Sequence, residues 1–323
     1  MKLKFLSESG LISAIRKEFA APLPGLSLGI GDDAAVVKLP GKNLILTKDL
    51  LIEDIHFIAK LHPPFLLGRK SLVINLSDIA ALGGKPRYAL LGLALPSGIA
   101  PNWVEKYFSG FKSAAEEYSV ALIGGDISQA KKRMISVTLI GEGQNIIKRS
   151  GAKPGDTLYV SGTLGDAKQG FLLLKKGFKL GMDNKADQLL RAFLDPAAQV
   201  ALGQDLARFK LASAMIDLSD GVSVDVHHLC QESGCGAELD LERIPLSPEL
   251  RQWQRRAADY ALHGGEDYQL LFSVSPQRVG DVRRLEKKYK LTPIGRMIGG
   301  KTVYIIDRRS QRRRLEIKGY QHF

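Results

Sequence analysis

Seven aspartates of the sequence share one local setting, because each lies where an apolar segment meets glycine, serine or asparagine. They are Asp32 and Asp33 after Gly-Ile-Gly, Asp49 at the end of NLILTKD, Asp78 in NLSD, Asp126 after Ile-Gly-Gly, and Asp217 and Asp220 in IDLSDG. Functional sites of α/β proteins form at such junctions, where rigid backbone holds a side chain beside a cleft. These aspartates are therefore the first candidates for chemistry.

Each aspartate alone also has a structural interpretation. Asp220 precedes Gly221 and an apolar helical segment, which suits a helix N-cap, and the Asp32-Asp33 pair suits a turn. Seven together need another explanation, because clustered carboxylates repel one another unless cations neutralise them. No histidine or cysteine is interleaved, so the ligands are all oxygen and suit Mg²⁺ or Ca²⁺ rather than zinc. Since the calcium-loop pattern D-x-D-x-D-G is missing, we predict Mg²⁺ shared with substrate phosphates, with more than one ion bound.

Bound phosphate also requires hydrogen-bond donors and positive charge. The candidates are the glycine-rich turns 29–31, 83–84, 124–125 and 162–165, together with Lys48, Arg149 and Lys153. Each turn alone is a weak signal. Residues 161–167, SGTLGDA, equally suit an ordinary strand-to-helix connection.

Three further patterns are weaker than they look. Residues 295–302 match G-x-x-x-x-G-K-[ST], but that motif needs a following helix, and a strand follows here, so we predict a hairpin turn at Gly299-Gly300. A zinc site at His227, His228, Cys230 and Cys235 is disfavoured, because the first three lie too close on one predicted helix to converge. The run of arginines 312–314 lacks an aromatic platform and is predicted to be a solvated basic edge.

His56, and Glu266 with Asp267, are polar residues beside predicted apolar strands. By pattern alone such residues are more often capping or turn groups than functional ones.

The elements that must position these residues alternate between strands and helices along the chain. In the first half we predict strands at 34–39, 43–49, 88–95, 120–125 and 135–143, and helices at 65–82 and 101–118. We expect the strand at 88–95 to be buried. A segment rich in glycine, proline and charge, 149–157, separates a second half with the same alternation. The sequence therefore predicts an α/β protein of two domains, 1–148 and 149–323.

Composition excludes several classes of protein. The 323 residues carry a net charge of +12, but residues 277–323 hold 14 basic and 4 acidic side chains, so the rest is almost neutral. The basic surplus is therefore a property of the tail rather than a general signal for nucleic-acid binding. The longest apolar stretch, 88–95, is too short to span a membrane, and the N-terminus suits an amphipathic helix from Ser9 better than a signal peptide. Two cysteines exclude a disulfide scaffold and suggest the cytoplasm.

Taken in order, the motifs resemble one known family. GIGDDAAV, TKDLLIEDIHF, NLSDIAALGG, IGGD, RSGAKPGD, IDLSDG and GGEDYQLLF, spread across nearly the whole chain, are similar to those of thiamine-monophosphate kinases, which belong to the superfamily of aminoimidazole ribonucleotide synthetase. The resemblance implies a two-domain α/β (α+β) fold, with an N-terminal mixed-sheet domain that dimerises and a C-terminal α/β domain. It also implies ATP and thiamine monophosphate as substrates, thiamine diphosphate as product, several Mg²⁺ ions and a homodimer.

The resemblance further assigns roles to single positions. Metal ligands are implied at Asp33, Thr47, Lys48, Asp49, Asp78, Asp126, Asp217 and Asp220; ATP contacts at Gly125, Arg149 and Ser219; and substrate contacts at His56, Glu266 and Tyr320. The family usually has a hydroxyl side chain where this chain has Lys48. Either the Lys48 ammonium neutralises a phosphate, or the metal binds the backbone carbonyl there.

Other interpretations remain open from the residues. Selenophosphate synthetases carry a reactive cysteine or selenocysteine near the N-terminus, and the hydrogenase-maturation relatives end in cysteine, whereas this chain has neither. A nucleic-acid-binding module that uses the basic tail, and a non-catalytic sensor of Mg²⁺ or nucleotide, are the alternatives of a different class. We expect no nucleic-acid partner, no membrane partner and no residue acting as a general base.

Overall fold

A computed structural model describes residues 25–319 of the chain. Within this range the chain forms two mixed β-sheets and nine α-helices, which confirms the predicted α/β fold. The helix predicted from Ser9 and the residue Tyr320 lie outside the described residues.

The first sheet has six strands in the order β1-β2-β3-β6-β4-β5, and only β4 and β5 run parallel. The strands are β1 Leu26–Leu28, β2 Ala35–Leu39, β3 Lys42–Ile52, β4 Lys85–Leu95, β5 Ala121–Gln129 and β6 Met134–Gly143. Helices α1 (Pro64–Ala81) and α2 (Pro101–Glu117) belong to the same half of the chain, and each begins with a proline in its first turn, where no hydrogen bond is lost. All the strands and helices predicted here are confirmed in position.

Two details of this sheet differ from the prediction. Strand β4 is not buried throughout, because its side chains alternate between the core and solvent, and Tyr88 and Leu90 are exposed. Asp49 and Asp126 lie inside β3 and β5 rather than at strand ends. Position within a strand matters because successive side chains point to opposite faces of the sheet.

The second sheet has seven strands in the order β13-β12-β9-β11-β7-β10-β8, and only β9 and β12 run parallel. The strands are β7 Thr157–Ser161, β8 Ala214–Asp217, β9 Gly236–Asp240, β10 Leu270–Val274, β11 Leu291–Ile298, β12 Val303–Ile306 and β13 Arg312–Arg314. The helices are α3 Asp166–Lys175, α4 Asn184–Leu194, α5 Val200–Arg208, α6 Val222–Ser233, α7 Pro248–Trp253, α8 Ala257–His263 and α9 Val279–Leu285.

The predicted hairpin at Gly299-Gly300 is wrong. Strands β11 and β12 follow each other in the chain, but β9 lies between them and pairs with both. The hairpin of this region is formed by β12 and β13 instead. The alternative P-loop is also ruled out, because residues 295–302 connect a strand to a strand and no helix follows them.

Helix α1 is the central element of the molecule. It contacts β3, β4 and β6 of the first sheet and β8 of the second, and 13 of its 18 residues are buried. Helix α2 packs on it so closely that a Cβ added to Gly110 would lie 1.8 Å from the carbonyl oxygen of Phe65. One apolar core includes side chains of both sheets, for example Leu139 and Phe272. The side chains of α1 are therefore held rigidly between the two halves.

Among residues 25–319, no helix has both the length and the apolar character needed to cross a membrane.

Candidate active site

Three carboxylates converge where the two sheets meet at α1. The side chains of Asp33, Asp78 and Asp217 each offer an oxygen, and these oxygens all lie within 4.8 Å of one another. Among the residues that the structure describes, this is the one group of three or more His, Cys, Asp or Glu side chains close enough to share a metal ion. The pattern-based prediction of clustered aspartates thus has a geometric counterpart, which we call the carboxylate cluster.

Each member of the carboxylate cluster comes from a different element. Asp33 lies in the loop before β2, Asp78 in the last turn of α1, and Asp217 at the end of β8. Asp49 points from β3 toward the same region, because its charge acts on both Asp78 and Asp217. Distant parts of the sequence are therefore needed to assemble the cluster.

Hydroxyl groups hold two of the carboxylates in place. Thr47 Oγ1 donates to Asp78 Oδ2 at 2.5 Å, and Ser77 Oγ donates to Asp217 Oδ2 at 2.6 Å. The Asn75 side chain accepts a hydrogen bond from the backbone N–H of Asp49 at 3.1 Å, which ties β3 to α1. These bonds fix the orientation of the acids but bring no positive charge.

Arg149 supplies the cation that contacts the cluster directly. Its Nε donates to Asp33 Oδ1 at 3.0 Å, and its backbone N–H donates to Asp32 Oδ2 at 3.1 Å. Asp32 also accepts from the backbone N–H of Asp33 at 3.0 Å. The two neighbouring aspartates therefore differ in function: Asp33 joins the cluster, and Asp32 fastens the backbone that carries Asp33 and Arg149.

The electrostatics of the cluster favour added positive charge. Burial, and then the charge of Asp33, raises the pKa of Asp217 to about 8; burial, and then the charge of Asp220, raises the pKa of Asp49 to about 6. The pKa of Asp78 lies well above its ordinary value, because the side chain is buried and because Asp49 and Asp217 are close. Burial lowers the pKa of Arg149, but the neighbouring aspartates outweigh burial and leave that pKa above its ordinary value. One guanidinium is thus shared among several carboxylates.

The donor set fits divalent metal ions with oxygen ligands. Asp33 Oδ2 is buried and has no hydrogen-bond partner, so a ligand atom of the cluster is left free. An unpaired buried carboxylate oxygen is costly unless a cation or a donor meets it. Asp33, Asp78 and Asp217, with Asp49 nearby, can therefore hold a hard cation such as Mg²⁺.

Two loops border the cluster and are packed backbone to backbone. Residues 218–221 follow Asp217, and residues 264–268 connect α8 to β10. The N–H of Glu266 donates to the Ser219 carbonyl at 2.7 Å, and the N–H of Tyr268 donates to the Leu218 carbonyl at 2.9 Å. A Cβ on Gly265 would lie 2.5 Å from the Ser219 oxygen, so the close approach requires glycine there. Ser219, Asp220 and Glu266 are thereby held beside Asp217.

Asp220 is not the N-cap of the following helix. The cap position of α6 is Gly221, and the buried Asp225 accepts hydrogen bonds from the backbone N–H groups of Gly221 at 3.0 Å and Asp220 at 3.3 Å. The Asp220 side chain is therefore not needed to cap α6, and its charge acts on Asp49 instead.

Three of the residues implied by the resemblance lie apart from the cluster. Lys48 is exposed and lies on the face of β3 opposite to Thr47 and Asp49. Asp126 is exposed on β5, where it accepts from Ser128 Oγ, and Gly125 precedes it. The strand pairing places Asp126 level with Leu50 of β3. Strands β6 and β4 lie between them, so Asp126 is roughly 14 Å from β3. Within one chain, the structure does not bring the Lys48 side chain, the Asp126 side chain or Gly125 to Asp33, Asp78 and Asp217.

His56 lies in the turn after β3, where its Nδ1 accepts the backbone N–H of Ile52 at 3.0 Å. It is partly exposed. Tyr320 lies beyond the described range, so its placement relative to His56 and Glu266 is not part of the site described above.

Sequence patterns missed several buried polar residues around the site. Asn75 and Ser77 stand in the quoted NLSD region, and the buried Lys70 forms an ion pair with Glu266. The signal for Lys70 was a charged residue on a helix that is otherwise apolar at helical spacing. The structure places neither His227 nor the buried, free cysteines 230 and 235 in a metal cluster.

Known proteins resemble this chain over both of its halves. A family model for the N-terminal domain of AIR synthase related proteins matches residues 31–142, and the model for their C-terminal domain matches residues 153–308. The thiamine-monophosphate kinase of Aquifex aeolicus (strain VF5) is 37% identical over 333 residues, which cover 100% of each chain. That of Escherichia coli (strain K12) is 36% identical over 307 residues, which cover 92% of each chain.

A solved structure described as AaThiL complexed with AMPPCP and TMP has a TM-score of 0.89 at 37% identity, and the match covers 100% of this chain and 99% of that one. The ranges matched by the two family models contain the positions of Asp33, Asp78 and Asp217.

Proposed function

The chain belongs to the thiamine-monophosphate kinase family of AIR synthase related proteins, and from this premise we propose that it transfers the γ-phosphate of ATP to thiamine monophosphate, giving thiamine diphosphate and ADP. The observation that carries the proposal is the carboxylate cluster, which stands on elements of both matched domains. Full-length similarity to relatives of this name, and to a structure described with AMPPCP and TMP, supports the choice of donor and acceptor.

We assign the metal ions to the carboxylate cluster. Asp33, Asp49, Asp78 and Asp217, with Thr47 and Asp220 beside them, would hold Mg²⁺. When bound, Mg²⁺ neutralises phosphate oxygens and charge that develops on them during transfer. The free oxygen of Asp33 and the raised pKa values of Asp49 and Asp217 support this assignment.

The acceptor needs no general base in this reaction. The phosphate of a monoester has a second pKa near 6, so at neutral pH it is largely a dianion and already nucleophilic. We propose that one of its oxygens attacks the γ-phosphorus of ATP in line, while the bond from that phosphorus to the bridging oxygen breaks and ADP leaves.

The remaining residues have positioning and charge roles in this proposal. Arg149, already paired with Asp33, supplies fixed positive charge toward the nucleotide, and Ser219 lies in the loop after Asp217. Glu266 and His56 are assigned to the thiamine moiety, with Tyr320. Lys48 and Asp126 point to the face of the first sheet opposite to Asp49, and Gly125 precedes Asp126 on the edge strand β5. We retain these three residues as candidates on the family resemblance alone.

We also propose that two copies of the chain associate through the first sheet. Every residue of the edge strand β5 is exposed, including Ile123 and Ile127, and the neighbouring sheet face exposes Leu50, Tyr88 and Leu90. An uncovered apolar edge strand is an aggregation hazard unless another chain covers it. Residues 1–148 are accordingly the proposed dimerisation domain and residues 149–323 the second domain. A cytoplasmic location agrees with two free, buried cysteines.

The test is ATP turnover with and without the acceptor. Purified protein, ATP and Mg²⁺ should release ADP in proportion to added thiamine monophosphate, and thiamine or inorganic phosphate should not replace it. Folded protein that releases no ADP with thiamine monophosphate at any Mg²⁺ concentration would overturn the proposal. Rapid-quench trapping of a phosphorylated protein competent for turnover would overturn the direct transfer.

A further inference from the structure

Lys70 is a buried cation inside the central helix. Its side chain is 1% exposed, its ammonium donates to the carbonyl oxygen of Phe193 at 2.9 Å, and it lies 3.9 Å from the centre of the Phe193 ring. Removing an ammonium from water is costly, and a carbonyl with an aromatic ring compensates only in part. Such a lysine requires a carboxylate partner.

That partner is Glu266. Lys70 Nζ lies 3.0 Å from Glu266 Oε1, whereas the Glu266 side chain is 31% exposed. One end of the carboxylate is therefore pinned to a buried charge, while the group remains accessible from solvent. The backbone of Glu266 is also fixed, because it adopts a left-handed conformation with φ of 67° and its N–H donates to Ser219. The orientation of this carboxylate is set from two sides.

The chemistry of the pair defines what it recognises. A carboxylate accepts hydrogen bonds and donates none, and the charge of Lys70 compensates its negative charge. The pair therefore offers an oriented acceptor rather than an unpaired anion. In thiamine monophosphate the thiazolium nitrogen is quaternary and the hydroxyethyl group is esterified, so the amino group of the pyrimidine is the N–H donor available.

We propose that Lys70 positions Glu266 to accept a hydrogen bond from the pyrimidine amino group of the substrate, and that this pair selects the amino form against its oxo analogue. The inference rests on the proposed function. Lys70 acts through Glu266 and does not touch the substrate. An oxo group at the same position would place an acceptor against an acceptor, which the site rejects.

The test compares thiamine monophosphate with oxythiamine monophosphate, in which a carbonyl replaces the amino group. The ratio of their kcat/KM values is measured for the wild type, Lys70→Met, Glu266→Gln and the double variant. We expect the wild type to prefer the amino substrate by about 10- to 100-fold, as for a hydrogen bond to a charged group. Glu266→Gln should bring the ratio close to one, because an amide both donates and accepts.

Lys70→Met should lower the ratio at least several-fold and raise KM for thiamine monophosphate while leaving KM for ATP unchanged. In the Glu266→Gln background it should have no further effect on the ratio. The matched control is Arg69→Met, since Arg69 is the neighbour of Lys70 on α1 but pairs with Glu117 and Asp195. This control should keep the wild-type ratio even if it lowers the melting temperature.

A ratio is independent of the fraction of folded enzyme, so a purely structural role of Lys70 leaves it unchanged. A wild-type ratio in Lys70→Met, or in Glu266→Gln if the first variant does not fold, overturns the inference alone. A wild type that makes no thiamine diphosphate overturns the proposed function and the inference with it.

Discussion

Aspartates in and beside the carboxylate cluster have pKa values above their ordinary range. The pKa of Asp217 is raised to about 8 and the pKa values of Asp49 and Asp32 to about 6, in each case first by burial and then by a neighbouring aspartate. Protons and metal ions therefore compete for the same oxygens. Ionised carboxylates crowded in this site at neutral pH lower the stability of the folded protein, and bound cations remove this cost.

The pH dependence of stability should reveal this competition. Above pH 4 the unfolded aspartates are ionised, whereas the folded ones keep their protons until about pH 6 to 8, so the folded state binds more protons in this window. The free energy of unfolding in a chelator should therefore fall between pH 5 and pH 8, by on the order of 5 kcal/mol, with the largest part from Asp217. Urea unfolding at several pH values, with EDTA or with excess Mg²⁺, measures it.

Excess Mg²⁺ should flatten the curve, because cations replace the protons. A stability that rises from pH 5 to pH 8 in EDTA would contradict the raised pKa values.

Two aspartates that the resemblance treats alike should differ when substituted. Asp217→Asn removes a proposed metal ligand, so it should abolish turnover, with a loss of at least about 10³-fold. Because it also removes a buried negative charge, it should stabilise the metal-free protein at pH 8 by about 1 kcal/mol or more. Asp126 is exposed, so Asp126→Asn should leave the stability of the metal-free protein unchanged. If Asp126 is a metal ligand, its variant should need more Mg²⁺ for half-maximal activity.

Kinetics against Mg²⁺ concentration and unfolding in EDTA separate these outcomes. Normal turnover by Asp217→Asn would refute the metal assignment.

At the scale of elements, α1 is the part on which the site depends most. It carries Lys70, Asn75, Ser77 and Asp78, and it contacts strands of both sheets. Its position is set by close helix contacts, because Gly110 of α2 lies against the backbone at Phe65. Packing far from the carboxylates therefore controls their geometry.

Substitution of this glycine should show how strictly the packing is set. Gly110→Ala places a Cβ 1.8 Å from a carbonyl oxygen, so α2 must shift, and we expect a loss of roughly 2–4 kcal/mol in unfolding free energy with reduced kcat/KM. Gly280, inside α9, has open space around its missing Cβ. Gly280→Ala is the matched control and should be neutral or stabilising by up to about 1 kcal/mol. Equal stabilities of the two variants would contradict the close packing of α2 on α1.

Helix α1 and most strands were predictable, because hydrophobic spacing and the glycines that follow α1, Gly83 and Gly84, are local signals. The arrangement of β11 and β12 in the sheet was not predictable, since β9, which is some 60 residues earlier in the sequence, lies between them. The face of Asp126 was not predictable either, because the register between β4 and β5 shifts near Leu122 and a shift of one residue reverses the face. The aspartates of the cluster were predictable as residue types, but Lys70 was hidden in an apolar helix pattern.

At the scale of the whole molecule, charge and apolar surface are segregated. The basic surplus lies in the last strands and tail, where Arg312 pairs with Glu238 and stacks on Tyr304. The apolar surface lies on the opposite domain, along β5 and the open face of the first sheet. The basic strands are suited to contact with solvent. The apolar surface along β5 is suited to being covered by a second copy of the chain.

Charges on β5 should therefore separate the proposed dimer. Ile127→Lys and Ile123→Lys place an ammonium in a surface that the partner would cover, so light scattering should show a monomer with unchanged secondary structure. Ile317, which is also exposed but lies near the C-terminus, provides the control, and Ile317→Lys should remain dimeric. A wild-type monomer at micromolar concentration would contradict the dimer.

We propose that the carboxylate cluster holds the metal ions that assist phosphate transfer from ATP to thiamine monophosphate. The most direct measurement is ³¹P NMR of a reaction that contains Mg²⁺, ATP, thiamine monophosphate and either the wild type or Asp217→Asn. For the wild type we expect the paired resonances of thiamine diphosphate to grow together with those of ADP. For the variant we expect them to be absent over the same time. Folded wild-type protein that leaves thiamine monophosphate unchanged, or a variant that forms the diphosphate at the wild-type rate, would contradict it.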